Sequence, residues 1–218
     1  MGDTDRQRIH RGTGLLFVEA FALGIIVAAP LGPVGASVVR TGLLYGFAAA
    51  VAVGAGAAAV DGVYFVAAAA GASQAFKTAW LGVPLWVGGT AILVYLGLSG
   101  LIERRRLLDE NASASYSLSL AFGRGLAITA TNPLTIASWL AVAGSLAVST
   151  DDVRFLAAAG AFIAAGSATW FALLSAGTAW GRRLAKGTVL QWSAAAASAL
   201  ILVFAIRFLI QGLGEYVL

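Results

Sequence analysis

The sequence predicts an all-α polytopic membrane protein with six transmembrane helices in two inverted three-helix repeats. Three observations carry that expectation. Of the 218 residues, 60% are hydrophobic and only 11% are charged, against about 25% charged in an ordinary soluble domain. Six apolar segments are each long enough to cross about 30 Å of hydrocarbon at ~1.5 Å per residue. Helix-breaking signals, centred on Pro33 and Pro133, recur at matching points in the two halves. Paired breaks of this kind are the best sequence pointer to a transporter's binding site, because backbone groups freed inside a bilayer are tolerated only beside protein or a water-filled cavity.

In chain order, residues 1–13 form a polar tail with Arg6, Arg8 and Arg11 beside Asp3 and Asp5. A full-length apolar run follows, unlike the short core of a cleaved signal peptide. The expected spans are 14–39, 42–71, 79–102, 118–147, 155–179 and 189–213. The first is interrupted by Ala29-Pro30-Leu31-Gly32-Pro33-Val34-Gly35 and the fourth by Thr131-Asn132-Pro133-Leu134-Thr135. Proline removes a backbone donor and crowds the preceding turn, so helices 1 and 4 should kink or unwind there. The basic, serine-rich loop 103–117 divides the chain into repeats 14–102 and 118–218.

The repeats resemble each other in order. After the breaks, Gly54–Phe65 lies over Gly160–Phe171, which sets Asp61 opposite Ser167 and Tyr64 opposite Trp170. Ile92-Leu-Val-Tyr95 then matches Ile201-Leu-Val-Phe204. Three spans per repeat invert the second relative to the first. Gly42, Gly46, Ala50, Gly54 and Ala58 recur every fourth position, a small-residue ridge suited to close helix packing along the second span. One face carries Arg40, Arg104, Arg105, Arg106, Arg124, Arg182, Arg183 and Lys186, the other Arg6, Arg8, Arg11, Lys77 and Arg154. That bias places both termini outside the cytoplasm, although the tail arginines argue the other way.

Asp61 is the one acid deep inside a span. A carboxylate there costs a few kcal/mol on insertion scales, so it should face the bundle interior, a partner or water. Low dielectric favours its neutral form, which suits a reversible proton carrier; a structural bond to unwound backbone is the other reading. Thr131, Asn132, Thr135, Thr129 and Ser138 surround the second break with neutral donors and acceptors, and Ser37 does so near Gly32 and Pro33. Such groups, with the partial charges of half-helix ends, suit the ammonium and carboxylate of a zwitterion. Tyr64 lies a turn from Asp61, and Trp170 occupies the corresponding place in the second half. Arg40 reads first as a boundary charge. Arg124 and Arg207 sit close enough to span ends to snorkel, and Glu19 is similarly near an end.

The chain has no cysteine and a single His10 in the tail, which excludes disulfides and thiolate sites and leaves little for a histidine metal cluster. Nucleophile elbow, P-loop and zinc spacings are missing. No enzyme activity, cofactor or nucleic-acid partner is expected.

These residues resemble lysine-exporter (LysE/RhtB-type) translocators over nearly all of 14–213. The first break, Arg40, Gly46 and Gly54–Asp61 carry the likeness in one half; Thr131–Thr135 and Gly166–Trp170 carry it in the other. The resemblance implies a proton-motive-force-driven exporter of amino acids in an inner membrane, with the two breaks and Asp61 as functional positions. Many members have Asn after the second proline of the first break, where this chain has Val34. The implied partners are an amino acid or small zwitterion, protons and the bilayer, with a homo-oligomer left open. An inorganic cation exporter and a non-transporting membrane scaffold are the alternatives.

Overall fold

A computed structural model of the chain describes residues 3–30, 32–70, 79–103, 117–132, 135–136, 138–139, 142, 152–184 and 187–216. The helices are α1 (Asp3–Ala28), α2 (Pro33–Tyr45), α3 (Phe47–Ala69), α4 (Ala79–Glu103), α5 (Leu118–Ala130), α6 (Val153–Leu184) and α7 (Gly187–Tyr216). Residues 135–136, 138–139 and 142 are also helical, and the described residues contain no strand. Among them three helices are long and apolar enough to cross a membrane: α3, α6 and Trp192–Gly214 of α7. A fourth span arises if α1 and α2 are taken as one bent pair.

Helix α1 begins at Asp3, so polar residues assigned to a tail form its first turns. Its last ladder bond runs from Ala29 N–H to the Ile25 carbonyl at 2.9 Å. The chain then turns by 77° before α2. Proline explains where α2 starts: Pro33 occupies the first turn, where a missing N–H costs nothing and its fixed φ suits a helix. The Gly32 carbonyl accepts from Ala36 N–H at 3.0 Å and opens the new ladder.

The second expected span begins elsewhere than at residue 42. Helix α2 continues to Tyr45, and one residue, Gly46 at φ 88° and ψ −173°, separates it from α3. That backbone region is essentially open to glycine alone. The small-residue ridge is thereby divided. Gly42 packs on Thr178 of α6, while Gly54, on α3, packs on Phe171 of the same helix.

Helix α6 is the spine. Phe17 stacks on Phe162 with ring centroids 4.8 Å apart; further on, Gly24 lies against Ile163 and Ser167, Gly42 against Thr178, and Gly46 against Arg182. The broken pair α1–α2 therefore runs parallel to α6. Helix α3 runs antiparallel to it, with Gly54 at Phe171 and Gly62 at Gly160. Helices α4 and α7 are likewise antiparallel, with Gly97 against Leu202 and Gly212 against Trp86.

Two crossings repeat each other residue for residue. At α1/α6, a Cβ on Gly24 would strike the Ile163 carbonyl, and one on Gly166 would strike the Phe21 carbonyl and Ile25 nitrogen. At α5/α3, a Cβ on Gly125 would strike the Val53 carbonyl, and one on Gly56 the Phe122 carbonyl and Leu126 nitrogen. A shift of 101 positions carries α1 onto α5, and one of 110 carries α3 onto α6. The sequence match of Gly54 to Gly160 sits about one helical turn away from this register. In the contact register Asp61 stands opposite Phe171, and Ser167 opposite Ala57.

Candidate functional site

The two breaks share one cavity of about 290 Å³. Val27, Ala28, Pro30, Gly32, Pro33, Val34 and Gly35 line it from the first break, and Thr129, Asn132, Thr135 and Ser138 from the second. Ala57 and Asp61 of α3, Phe171 of α6 and Phe204 of α7 complete the wall. Its polar groups are few and convergent in a mainly apolar lining, as in small-molecule sites generally, and its volume falls just under their usual range of roughly 300–1,000 Å³.

The geometry at both breaks follows from the sequence. Helix α5 ends where Thr131 N–H bonds the Ala127 carbonyl at 3.1 Å, and the ladder restarts with Ile136 N–H on the Asn132 carbonyl at 3.1 Å. Asn132 thus opens the second half-helix as Gly32 opens the first, each directly before a proline in the sequence. Pro133 and Leu134 lie outside the described residues. At the first break Val34 and Gly35 occupy the first turn of α2 and line the cavity. Their N–H groups belong to the turn that has no intrahelical acceptor, so the partial positive charge of a helix start faces the cavity.

Asp61 is 4% exposed and accepts a hydrogen bond from Trp139 Nε1 at 2.9 Å. The indole, 1% exposed, also meets Phe65 edge-on. Ser167 is within hydrogen-bonding reach of the same carboxylate. Its one proton goes to the Gly24 carbonyl of α1 at 3.1 Å, so Ser167 ties α6 to α1 just before the first break. A buried carboxylate held by the Trp139 indole on one side and open to a cavity on the other can exchange a proton or a cationic partner there.

The remaining residues expected at a site fall in several places. Tyr64 donates its hydroxyl to the Ala130 carbonyl, the last residue of α5, and so satisfies a helix-end acceptor beside the second break. Thr131 returns its hydroxyl to the Ala127 carbonyl at 2.7 Å, and its backbone faces Gly89 of α4. Ser37 is buried in α2 a turn beyond Pro33 and is not part of the cavity wall. Trp170 lines a separate apolar crevice of about 620 Å³ with Val39, Leu43, Leu174 and Thr178, between α2 and α6. The cavity therefore gathers Asp61, Gly32, Pro33, Asn132 and Thr135, with Ser167 behind Asp61.

Trp139 is the partner that reading the sequence missed. A signal existed: an indole N–H buried in an apolar span needs an acceptor, and Asp61 is the interior acid available to it. Trp139 also lies four residues beyond Thr135, on the same helical face.

A polytopic helical membrane protein with two half-helix ends meeting at one buried acid has the make-up of a secondary transporter. The chain belongs to the LysE type translocator family, whose model matches residues 25–212. It is also 33% identical over 138 residues to a protein of Bacillus subtilis (strain 168) named "Putative amino acid efflux protein YcgF". That match spans 63% of this chain and 66% of the relative, a little under two thirds of its length. No solved structure matches the chain.

Proposed function

We propose that this protein is a secondary-active exporter of amino acids or related small zwitterions, driven by the proton-motive force across a cytoplasmic membrane. The observation that carries the proposal is the joining of both helix breaks around Asp61 in one small cavity. The helix start at Val34 and Gly35 offers a carboxylate two N–H donors, and Asp61 offers an ammonium its negative charge. The family and the efflux relative support the substrate class. An inorganic cation fits less well, because hard cations take six or more oxygen ligands, several of them charged, and the described residues of this wall include one carboxylate.

In this reading the spans are six, and 14–102 and 118–218 are repeats of inverted topology. The matched glycine crossings and the directions of the helix pairs support it, since six alternating spans demand those directions. The repeats rock about the cavity. Asp61 holds the ammonium when ionised; when protonated it is neutral and the empty site returns through the apolar barrier at lower cost. Both termini lie outside the cytoplasm, by the charge bias of the loops.

The test is efflux from proteoliposomes loaded with a labelled amino-acid panel that includes dipeptides. An imposed proton gradient should drive at least one of them out against its own gradient. Gradient-independent leakage for the entire panel would overturn the proposal.

A further inference from the structure

A second chamber opens from the first. It is small, about 100 Å³, and is lined by Pro33, Leu93, Asn132, Phe204, Arg207, Phe208 and Gln211. Pro33, Asn132 and Phe204 line both spaces, so the chamber adjoins the Asp61 cavity at the two breaks. Arg207 and Gln211 lie four residues apart on α7, on one face of that helix. Phe208 between them is buried and packs toward Gly89 of α4, while Arg207 and Gln211 border the chamber.

The two spaces carry opposite charges. Among the described lining residues, Asp61 is the charged one in the first space and Arg207 the charged one in the second. The N-terminus of α2 stands between them at Pro33, and its partial charge has the same sign as Arg207. Arg207 and Gln211 are both exposed on α7 as well as lining the chamber, and guanidinium is a planar fork of donors that matches a carboxylate bidentately.

We infer that Arg207, with Gln211 beside it, completes with the adjoining α2 helix start the carboxylate-recognising pole of the substrate site, opposite the ammonium pole at Asp61. The inference rests on the transport reading above and deepens it: the transported substrate carries a carboxylate, and amines lacking one bind through the ammonium pole alone. Arg207 contacts substrate and sets specificity.

The experiment compares wild type, Arg207→Gln and Arg207→Lys in proteoliposomes, reading concentration dependence of transport for leucine, threonine and lysine and inhibition by their decarboxylated amines. Arg207→Gln should raise KM for the amino acids about tenfold to a hundredfold, the range for a lost charged hydrogen bond, and leave inhibition by the amines unchanged. Arg207→Lys should recover part of the loss, because charge returns without the fork. An unchanged KM in Arg207→Gln, or equal losses for amino acids and amines, overturns the assignment while transport itself stands. If wild type transports none of these substrates, the transport reading and the Arg207 assignment fall together.

Discussion

Gly123 and Gly125 sit two residues apart in α5, and the structure gives alanine opposite consequences at the two. A Cβ on Gly125 would meet the Val53 carbonyl oxygen and the rest of that peptide, while one on Gly123 meets nothing within 4 Å. The obstruction is backbone, which cannot rotate aside, so α5 must move off α3. Overpacking of this kind costs about 1–3 kcal/mol, and alanine's helix preference over glycine returns ~1 kcal/mol. The net loss for Gly125→Ala is therefore up to about 2 kcal/mol. At ~2–4 °C per kcal/mol for a chain of this size, its Tm in detergent should fall by up to roughly 8 °C. Gly123→Ala meets no obstruction and should raise Tm by about 2–4 °C. Gly24→Ala, at the matching crossing against Ile163, should behave like Gly125→Ala. Thermal unfolding of the purified variants checks all three. Equal shifts for Gly123→Ala and Gly125→Ala would refute the crossing register and with it the support for inverted repeats.

Other perturbations follow from single contacts. Trp139→Phe keeps the packing on Phe65 and removes the N–H on Asp61, so stability should fall by about 1–3 kcal/mol, read as a lower Tm; an unchanged Tm would remove that bond from the account. Tyr64→Phe leaves the Ala130 carbonyl without its hydroxyl donor and should cost about 1 kcal/mol, with faster amide exchange at 130–132 as the local signature. Gly46→Ala forces a side chain into φ 88° and should cost about 1–3 kcal/mol, measured by thermal unfolding.

Much of the site was legible because membranes make polar punctuation expensive. Asp61, Gly32, Pro33 and Asn132 stand out in apolar runs for one physical reason: each leaves a charge or a backbone group that lipid cannot satisfy. The structure brings those four to one cavity. Register was less legible. Alanine-rich spans look alike at every turn, so a match of Gly54 to Gly160 scores as well as its neighbours. Backbone contacts at Gly56 and Gly166 break the tie, and those are tertiary facts. The α2–α3 boundary was hidden because Gly46 fits a small-residue ridge as well as a turn. Trp139 and Arg207 were passed over for another reason. Each has an ordinary role in membrane helices, packing or snorkelling, and only the spatial neighbourhood, the Asp61 carboxylate for Trp139 and the second chamber for Arg207, points to another.

The central claim is that Asp61 couples proton movement to substrate movement at the shared cavity, and Asp61→Asn tests it most directly. Asparagine keeps the shape and much of the hydrogen bonding with Trp139 while deleting the charge. Reconstituted at equal density, the variant and wild type are compared for exchange of labelled substrate at equilibrium and for net efflux under an imposed proton gradient. The account predicts that Asp61→Asn loses gradient-driven net efflux while its folding and Tm stay near wild type. A variant that still drives substrate uphill with the wild-type dependence on pH would contradict it, and would make Asp61 a structural acceptor for Trp139 with the proton path elsewhere.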